Sequence, residues 1–474
     1  MKCGRQGGMK VKKCVSALLL LLVLSCGGVT VRALSADDET VAGTVLRFAE
    51  QDPSSSLDEW AVIGLCRGGA YDATAYLSAI ALQLERGEGR VEGADLIDYA
   101  RIALAVTAAG GRADDLAGYS LLAPLSDPDV LFSKSINCVL FSLLAMDAGE
   151  YSLPSGLRES IVSHLLSLEI EGGGWSLYRT FADVDVTAVA VTALAPYRGI
   201  PEVAAAIGRA RMFLEESQEA DGGFVSMGAR NAESSAQVIL ALTSLGEMPD
   251  EEILSAFLSY RTEDGFSHLY GGGTNAIATA EGYLALVACR RLSEGLSPVY
   301  QMCDAAPRSV HFTVLDAETA REIPILASVA HLEKTERLLG KLLLSDNRAE
   351  YAETEQHLRD ALTAQETAKE TLSELDRALM SLPRAKEITR RDRERIASLR
   401  ASVDGLPEAD RATLRYLTYL EEAESALGVL DRERVTETVL AAVGAALLML
   451  LLLGAYRKRA ARRARLRKEE EEEE

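Results

Sequence analysis

Runs of small and apolar residues recur along the N-terminal two thirds of the chain, and a short polar residue begins each run. The six copies are spaced 39 to 48 residues apart, and they begin at Ser56, Asp95, Ser135, Asp183, Asn231 and Asn275. With the first residue counted as position zero, positions five and ten are mostly Ala. Asp, Asn and Ser are favoured helix N-caps, because their side chains accept hydrogen bonds from free N–H groups. The pattern therefore predicts six helices that begin at these residues.

More amphipathic segments lie between the copies, such as residues 201–218, which carry Glu and Arg on one side. Helices that are apolar nearly all round are buried, whereas amphipathic helices cover them. Each repeat therefore predicts one outer and one inner helix. Six such hairpins over residues 40–295 predict an all-α domain, an (α/α)6 toroid if the last hairpin packs against the first.

The segment after the repeats has a different pattern. Residues 305–330 contain two β-branched runs around Asp316 and are expected to form a short β-hairpin linker. Residues 331–430 are charged and have Leu at helical spacing, with breaks at Pro383 and at 405–407. They are expected to form a helical stalk or a coiled-coil-like bundle.

Both ends of the chain carry membrane signals. Residues 438–456 are uncharged and, at about 1.5 Å per residue, are long enough to cross a bilayer as one helix. The basic and then poly-Glu tail, residues 457–474, is expected on the cytoplasmic side. Residues 1–35 resemble a signal peptide, so the body is expected outside the cytoplasm. Lipidation at Cys26 and ordinary cleavage near Ser35 both remain open.

The net charge and the composition limit the kinds of partner that the chain is expected to bind. The chain has a net charge of −21, and residues 37–300 hold 38 acidic against 16 basic side chains. Nucleic acid is not expected as a partner, because phosphate binding needs clustered Lys and Arg. The chain contains only two Trp and nine Phe.

Two glycine-rich loops suggest a family. Residues 169–175 (EIEGGGW) and 218–224 (QEADGGF) are similar to the Q-x-x-x-G-x-W repeats of squalene and terpene cyclases. The whole of 40–295 resembles the prenyltransferase/terpene-cyclase α–α toroid, and exported bacterial surface proteins with this domain look most similar. The resemblance implies the toroid fold. It does not decide activity, because this fold carries both enzymes and binding proteins.

The resemblance also implies a possible catalytic acid. Class II terpene cyclases protonate an alkene from the middle Asp of a D-x-D-D motif, which matches Asp183-Val184-Asp185-Val186 here. Asp185 aligns with the acid and Asp183 with the first Asp, but Val186 replaces the last. The alternative is that Asp183 and Asp185 cap and stabilise the N-terminus of an inner helix. No metal site and no cofactor are expected, because the five His follow no common ligand spacing.

A ligand-binding edge is also predicted. Polar residues at position two of several repeats meet at one end of the inner helices if these run in the same direction, and loop aromatics would surround them. The residues expected to bind a ligand are Asp58, Asn137, Glu233, Trp175, Phe224 and Phe266. Helix capping by the polar residues, and clamping of neighbouring repeats by the aromatics, remain alternatives. Cys66 and Cys289 lie on the first and last inner helices, and they are candidates for a disulfide.

Three functions remain open at this point. The first is a membrane-anchored, extracytoplasmic and non-catalytic module that binds an unknown small-molecule, lipid or protein ligand, with Thr438–Tyr456 in the membrane. The second is a membrane-associated isoprenoid cyclase or transferase, which predicts a deep apolar cavity around Asp185. The third is a structural surface protein without a small ligand.

Overall fold

The computed structural model describes residues 38–51, 59–69, 71–178, 180–226 and 228–472. The predicted signal peptide, residues 1–35, lies outside the described residues. The described chain divides into two compact units. The first unit runs to Ala317 and adds Glu336–Glu355, and the second contains Glu318–Thr335 and the chain from Gln356 onward.

Helices dominate the first unit. Its helices before residue 300 are α1 (Asp38–Gln51), α2 (Glu59–Arg67), α3 (Thr74–Arg86), α4 (Leu96–Ala108), α5 (Pro128–Phe132), α6 (Ile136–Asp147), α7 (Leu157–Ser167), α8 (Val184–Leu194), α9 (Pro201–Glu216), α10 (Ala232–Ser244), α11 (Glu251–Leu258) and α12 (Ala276–Ser293). Short 3₁₀ turns lie between α4 and α5, at Ala123–Leu125, and directly after α8, at Ala195–Tyr197. Strands β1 (Val225–Ser226) and β2 (Ala229–Arg230) pair antiparallel, with Val225 opposite Arg230.

The predicted helix starts are confirmed wherever the structure describes them. In each case the side-chain oxygen of the first polar residue accepts a backbone N–H two or three residues later, as at Asp183, which accepts from Val186 at 3.1 Å. Ser56 lies outside the described residues. The five N-caps are Asp95, Ser135, Asp183, Asn231 and Asn275.

The six helices that follow the repeat starts, called the core helices here, are α2, α4, α6, α8, α10 and α12. Each core helix packs against the next one, and α12 also packs against α2, so the series of contacts returns to its beginning. Small residues allow this close approach: every residue of α8 except Asp185 is buried. Among the more amphipathic helices, α7 packs on α6 and α5, α9 packs on α8, and α11 packs on α10.

The predicted β-hairpin at 305–330 is wrong. The segment contains helix α13 (Val314–Arg321), and Val310 forms a single β-bridge with the distant Ser345. The physical reason is local capping. The Thr313 hydroxyl accepts the N–H of Asp316 at 3.1 Å, and Asp316 accepts the N–H of Thr313 at 2.8 Å, which makes a reciprocal capping box.

The remaining helices include most of the predicted stalk. They are α14 (Leu332–Leu343), α15 (Ala352–Met380), α16 (Arg393–Asp404), α17 (Glu408–Arg411) and α18 (Leu417–Glu472), with 3₁₀ turns at Val329–His331, Arg348–Tyr351, Ala385–Glu387 and Arg390–Asp392. Helix α15 ends before Pro383 and α16 ends before Gly405, as predicted. In the second unit, Leu379, Val403 and Leu420 belong to one buried cluster.

The predicted stalk begins at residue 331, but residues 336–355 pack with the first unit. Leu338, Leu339 and Leu342 are buried there. Lys341 Nζ lies 2.7 Å from Asp316 Oδ2, which fixes α14 beside α13. The apolar side of α14 therefore extends the core of the first unit.

Helix α18 includes the predicted membrane segment. Its most apolar stretch has a mean hydropathy of 2.5, and none of that stretch is buried within the protein. Leu450, Leu451 and Leu452 are each more than 60% exposed. Exposed apolar side chains are stable in hydrocarbon and unfavourable in water. Helix α18 is long and apolar enough to cross a membrane.

Candidate functional site

Three polar residues occupy the second position of neighbouring core helices: Asn137 of α6, Asp185 of α8 and Glu233 of α10. We call these three residues the acidic edge. All three are half-buried. Asp58, the fourth residue predicted for this edge, lies outside the described residues. Three of the four polar residues predicted for this edge are therefore described, and each lies in the first turn of its core helix.

Asp185 has an unusual environment for a carboxylate. Its Oδ1 is buried and accepts no hydrogen bond from the residues that the structure describes, and the same is true of Asn137 Oδ1. Burial raises the pKa of Asp185, the Ser234 hydroxyl opposes this rise, and the nearby charges of Asp183 and Glu233 add to it. Buried acceptors without a partner are rare, because they lose hydration and gain nothing in return. The two unpartnered oxygens of the acidic edge therefore favour a hydrogen-bond donor that does not belong to the chain.

Asp183 has a structural role that accounts for its position. One of its carboxyl oxygens caps α8, and the other accepts a hydrogen bond from the Ser226 hydroxyl at 2.9 Å. This contact joins the loop before α8 to strand β1. Val186, which replaces the last Asp of the cyclase motif, is buried. The catalytic role of Asp183 and Asp185 stays a prediction.

Glu233 is engaged with the next loop along the chain. Its carboxylate lies 3.0 Å from His268 Nδ1, and the backbone carbonyl of His268 accepts the N–H of Ala232 at 3.1 Å. The loop before α12 is therefore attached to the first turn of α10. His268 belongs to the site, and the sequence pattern gave no reason to select it.

Phe141, Gln237 and Glu281 lie one helical turn after position two of their core helices, and together with Trp60 and Tyr300 they form what we call the central cluster. The ring centroids of Trp60 and Phe141 are 5.1 Å apart, and those of Trp60 and Tyr300 are 6.5 Å apart. Gln237 Nε2 donates to Glu281 Oε2 at 3.1 Å. Burial raises the pKa of the Tyr300 phenol, and the charge of Glu281 raises it further.

The sequence contained a partial signal for this cluster. Phe141, Gln237 and Glu281 occupy position six of their repeats, four residues after position two, and residues four apart share one face of a helix. Trp60 and Tyr300 lie outside that register, so the repeat gave no signal for either residue.

The segment Pro298–Met302 closes the far ends of the core helices. The N–H of Met302 donates to the carbonyl of Ala148 at 2.7 Å, just after α6. Between this segment and the ends of α6, α8 and α10 remains a cavity of about 20 Å³, roughly the room for one water molecule. The segment therefore leaves little free space at the far ends of these three helices.

Two buried guanidiniums hold this segment. Arg67 donates to Asp304 Oδ1 at 2.8 Å and to the carbonyls of Pro298 and Gln301 at 3.2 Å. Arg291 pairs with the other oxygen of Asp304. The side chains of Arg67 and Arg291 are only 3% and 7% exposed. Because buried charges need partners, Asp304 anchors the segment.

The predicted role of the loop aromatics in ligand binding requires correction. Trp175, Phe224 and Phe266 are at most 1% exposed, so no surface of theirs is available to a ligand. The backbone N–H groups of Trp175 and Phe266 donate to the hydroxyls of Thr187 and Thr279, at 2.9 and 3.0 Å, on the helices that follow. These aromatics clamp each loop onto the next core helix, because burial of a large ring stabilises more than exposure at an edge.

The predicted disulfide is also absent: no bond joins Cys66 to Cys289. Helices α2 and α12 are neighbours, but the Tyr283 ring packs over Gly64 and Gly68 at their contact. Cys66 lies two residues from each glycine, which is about 200° around the helix and therefore on the opposite face. Burial also raises the pKa of the Cys66 thiol to about 12, which keeps it protonated and unreactive.

Among the residues that the structure describes, no three His, Cys, Asp or Glu side chains are grouped so that they could hold a metal ion. No protein-family model matches the sequence, and no curated protein matches it either. The candidate site is therefore defined by its geometry alone.

Proposed function

We propose that residues 40–295 form an α–α toroid of the prenyltransferase/terpene-cyclase type. In this proposal the toroid is a non-catalytic binding module that α18 attaches to the membrane from outside the cytoplasm. The contact series of the core helices, in which α12 packs against α2, supports the toroid. The apolar stretch of α18 supports the anchor.

The ligand in this proposal is a polar molecule with a cationic nitrogen. The observation that carries the proposal is the buried Oδ1 of Asp185, which has no partner within the described chain; Asn137 Oδ1, at the same position of a helix that packs on α8, is also without a partner. An ammonium or guanidinium group supplies N–H donors and the opposite charge. Phe141, one helical turn after Asn137, has its ring centroid 5.1 Å from that of Trp60, and aromatic faces attract cations.

The small free space at the far ends of α6, α8 and α10 favours binding over isoprenoid catalysis. A cyclase needs an enclosed apolar cavity, and small-molecule sites commonly have volumes of about 300–1,000 Å³. The cavity that Tyr300 lines is about 20 Å³, and Tyr300 itself is buried. The missing last carboxyl group of the acid motif argues in the same direction, because alkene protonation demands an unusually strong acid.

The experiment uses the full-length protein in phosphatidylcholine nanodiscs and isothermal titration calorimetry with butylammonium and butylguanidinium chloride. We expect saturable binding of either cation, and about tenfold weaker binding by Asp185→Asn, since a charge-assisted hydrogen bond is lost. The matched control is Glu202→Gln, an exposed acid on α9, which should leave the affinity unchanged. Equal binding of neutral 1-pentanol, or no effect of Asp185→Asn, contradicts the proposal.

A further inference from the structure

Large apolar side chains are exposed at the same end of the core helices as the acidic edge. Phe181 and Tyr270 are 67% and 78% exposed, although both are aromatic residues. We call the whole set the apolar rim, and its members are Leu177, Tyr178, Phe181, Leu269, Tyr270 and Ile277. Single exposed apolar residues are common, but a group at one end of a domain marks an interaction surface.

The two loops that carry the apolar rim are each bonded to the segment that contains β1, β2 and the start of α10. The loop before α8 is bonded to β1 through Ser226 and Asp183 at 2.9 Å. The loop before α12 is bonded to α10 through the carbonyl of His268, which accepts the N–H of Ala232 at 3.1 Å. Ile277 occupies position two of its repeat, the position of Asp185 and Glu233 in theirs. The apolar rim and the acidic edge therefore belong to one continuous surface.

The negative charge of this surface indicates which class of partner it can bind. Asp183 follows Phe181 by two residues, and Glu233 contacts His268, which precedes Leu269. The chain from 37 to 300 holds 38 acidic against 16 basic side chains. Anionic lipid headgroups are repelled by such a surface. A polypeptide with a basic side chain between apolar side chains matches both the acids and the exposed aromatics.

We propose that the apolar rim docks a polypeptide segment of a partner protein in which a Lys or Arg enters the acidic edge while its apolar neighbours pack on Tyr178, Phe181 and Tyr270. This inference rests on the proposed function, because it uses the same cation site. It adds the class of partner: a protein segment rather than a free small cation. The clamped loops present the rim in advance, which reduces the entropy lost on binding.

The experiment compares three fluorescent pentapeptides on the full-length protein in phosphatidylcholine nanodiscs, by fluorescence anisotropy. The sequences are Leu-Phe-Lys-Leu-Phe, Gly-Gly-Lys-Gly-Gly and Leu-Phe-norleucine-Leu-Phe. We expect the first to bind at least about tenfold tighter than either of the others, because aromatic contacts are the commonest source of binding energy at interfaces. The double variant Tyr178→Ser, Tyr270→Ser should lose this preference and keep the affinity for butylammonium.

The matched control is Leu296→Ser, which changes a side chain that is 46% exposed just after the C-terminal end of α12, opposite the N-terminal ends that carry the rim. It should leave peptide and butylammonium binding unchanged. If butylammonium binds but apolar neighbours add nothing to the Lys peptide, the docking proposal fails and the proposed function stands. If the double variant instead abolishes binding to phosphatidylglycerol vesicles, the rim is a lipid-binding surface and the docking proposal is overturned. If neither butylammonium nor any Lys peptide binds, both proposals fail.

Discussion

Asp185 is the residue at which stability and proposed function oppose each other. Folding raises its pKa through burial. An acid of this kind contributes its full stability below its unfolded pKa of about 3.9 and loses that stability as the pH rises through the raised folded pKa. We therefore expect Asp185→Asn to stabilise the first unit by about 1 kcal/mol at pH 7, and by almost nothing at pH 4.

The measurement is thermal unfolding followed by Trp fluorescence, because Trp60 and Trp175 are the two Trp residues of the chain and both lie in the first unit. Glu202→Gln is the control and should show no such pH-dependent gain. A lower melting temperature for Asp185→Asn at pH 7 would mean that the wild-type carboxylate has a stabilising partner.

Residue-level prediction succeeded where the chemistry is local. Position two of the repeat selected Asn137, Asp185 and Glu233 as neighbours of helix N-termini, and this follows from capping and helical geometry alone. It failed for Trp175, because an aromatic in a loop has the same sequence whether it faces solvent or a helix. It also missed Tyr300, because no periodic signal connects that residue with the core helices.

At the scale of elements, the loop clamps define how closely successive hairpins pack. A Cβ at Gly282 on α12 would lie 2.7 Å from the ring of Phe266, the aromatic that clamps the preceding loop. We therefore expect Gly282→Ala to destabilise the first unit by about 1–3 kcal/mol, as overpacking does, measured by urea unfolding with Trp fluorescence.

The control is Gly208→Ala on α9, where a Cβ would meet nothing within 4 Å. It should stabilise by about 0.5–1 kcal/mol through helix propensity. The two substitutions are chemically identical, so opposite signs isolate the clamp. Destabilisation by both would show that the loss at Gly282 has another cause.

The segment Pro298–Met302 is the second element whose anchoring can be tested. Asp304→Ala leaves the buried guanidiniums of Arg67 and Arg291 without their shared carboxylate. We expect a loss of about 2 kcal/mol in the unfolding free energy, at the low end for a buried pair because Asp304 is itself partly exposed. The measurement is urea unfolding followed by Trp fluorescence.

The matched control is Glu215→Ala, which removes a carboxylate that is 69% exposed and lies 3.9 Å from Arg211. It should change the unfolding free energy by less than about 0.5 kcal/mol, as surface ion pairs do. Equal losses for the two variants would mean that Asp304 does not anchor the segment.

The contrast between helix starts and the failed hairpin shows which elements a sequence determines. An N-cap such as Asn275 acts on backbone groups within three residues, so its effect can be read locally. The segment after Val310 has β-branched residues that favour a strand. Its bridge partner, Ser345, comes from a distant helix end, and the capping box at Thr313 begins a helix instead. Local capping prevailed over weak strand propensity.

At the scale of the whole molecule, charge and hydrophobicity are separated along the chain. The acidic first unit bears the candidate site, whereas the apolar stretch of α18 is followed by basic residues from 457 to 468. Such a basic flank is typical of the cytoplasmic side. The predicted topology therefore places Cys303 and Ala464 on opposite sides of the membrane.

Cys303 is exposed in the first unit, and a membrane-impermeant maleimide can test its side. We expect Cys303 to be labelled in intact cells, in excess of the Cys303→Ser variant. A new thiol at the tail, Ala464→Cys in the Cys303→Ser background, should be labelled only after permeabilisation, because the basic flank holds the tail inside. The reverse pattern would place the acidic edge in the cytoplasm, and any partner with a basic segment would then have to be cytoplasmic as well.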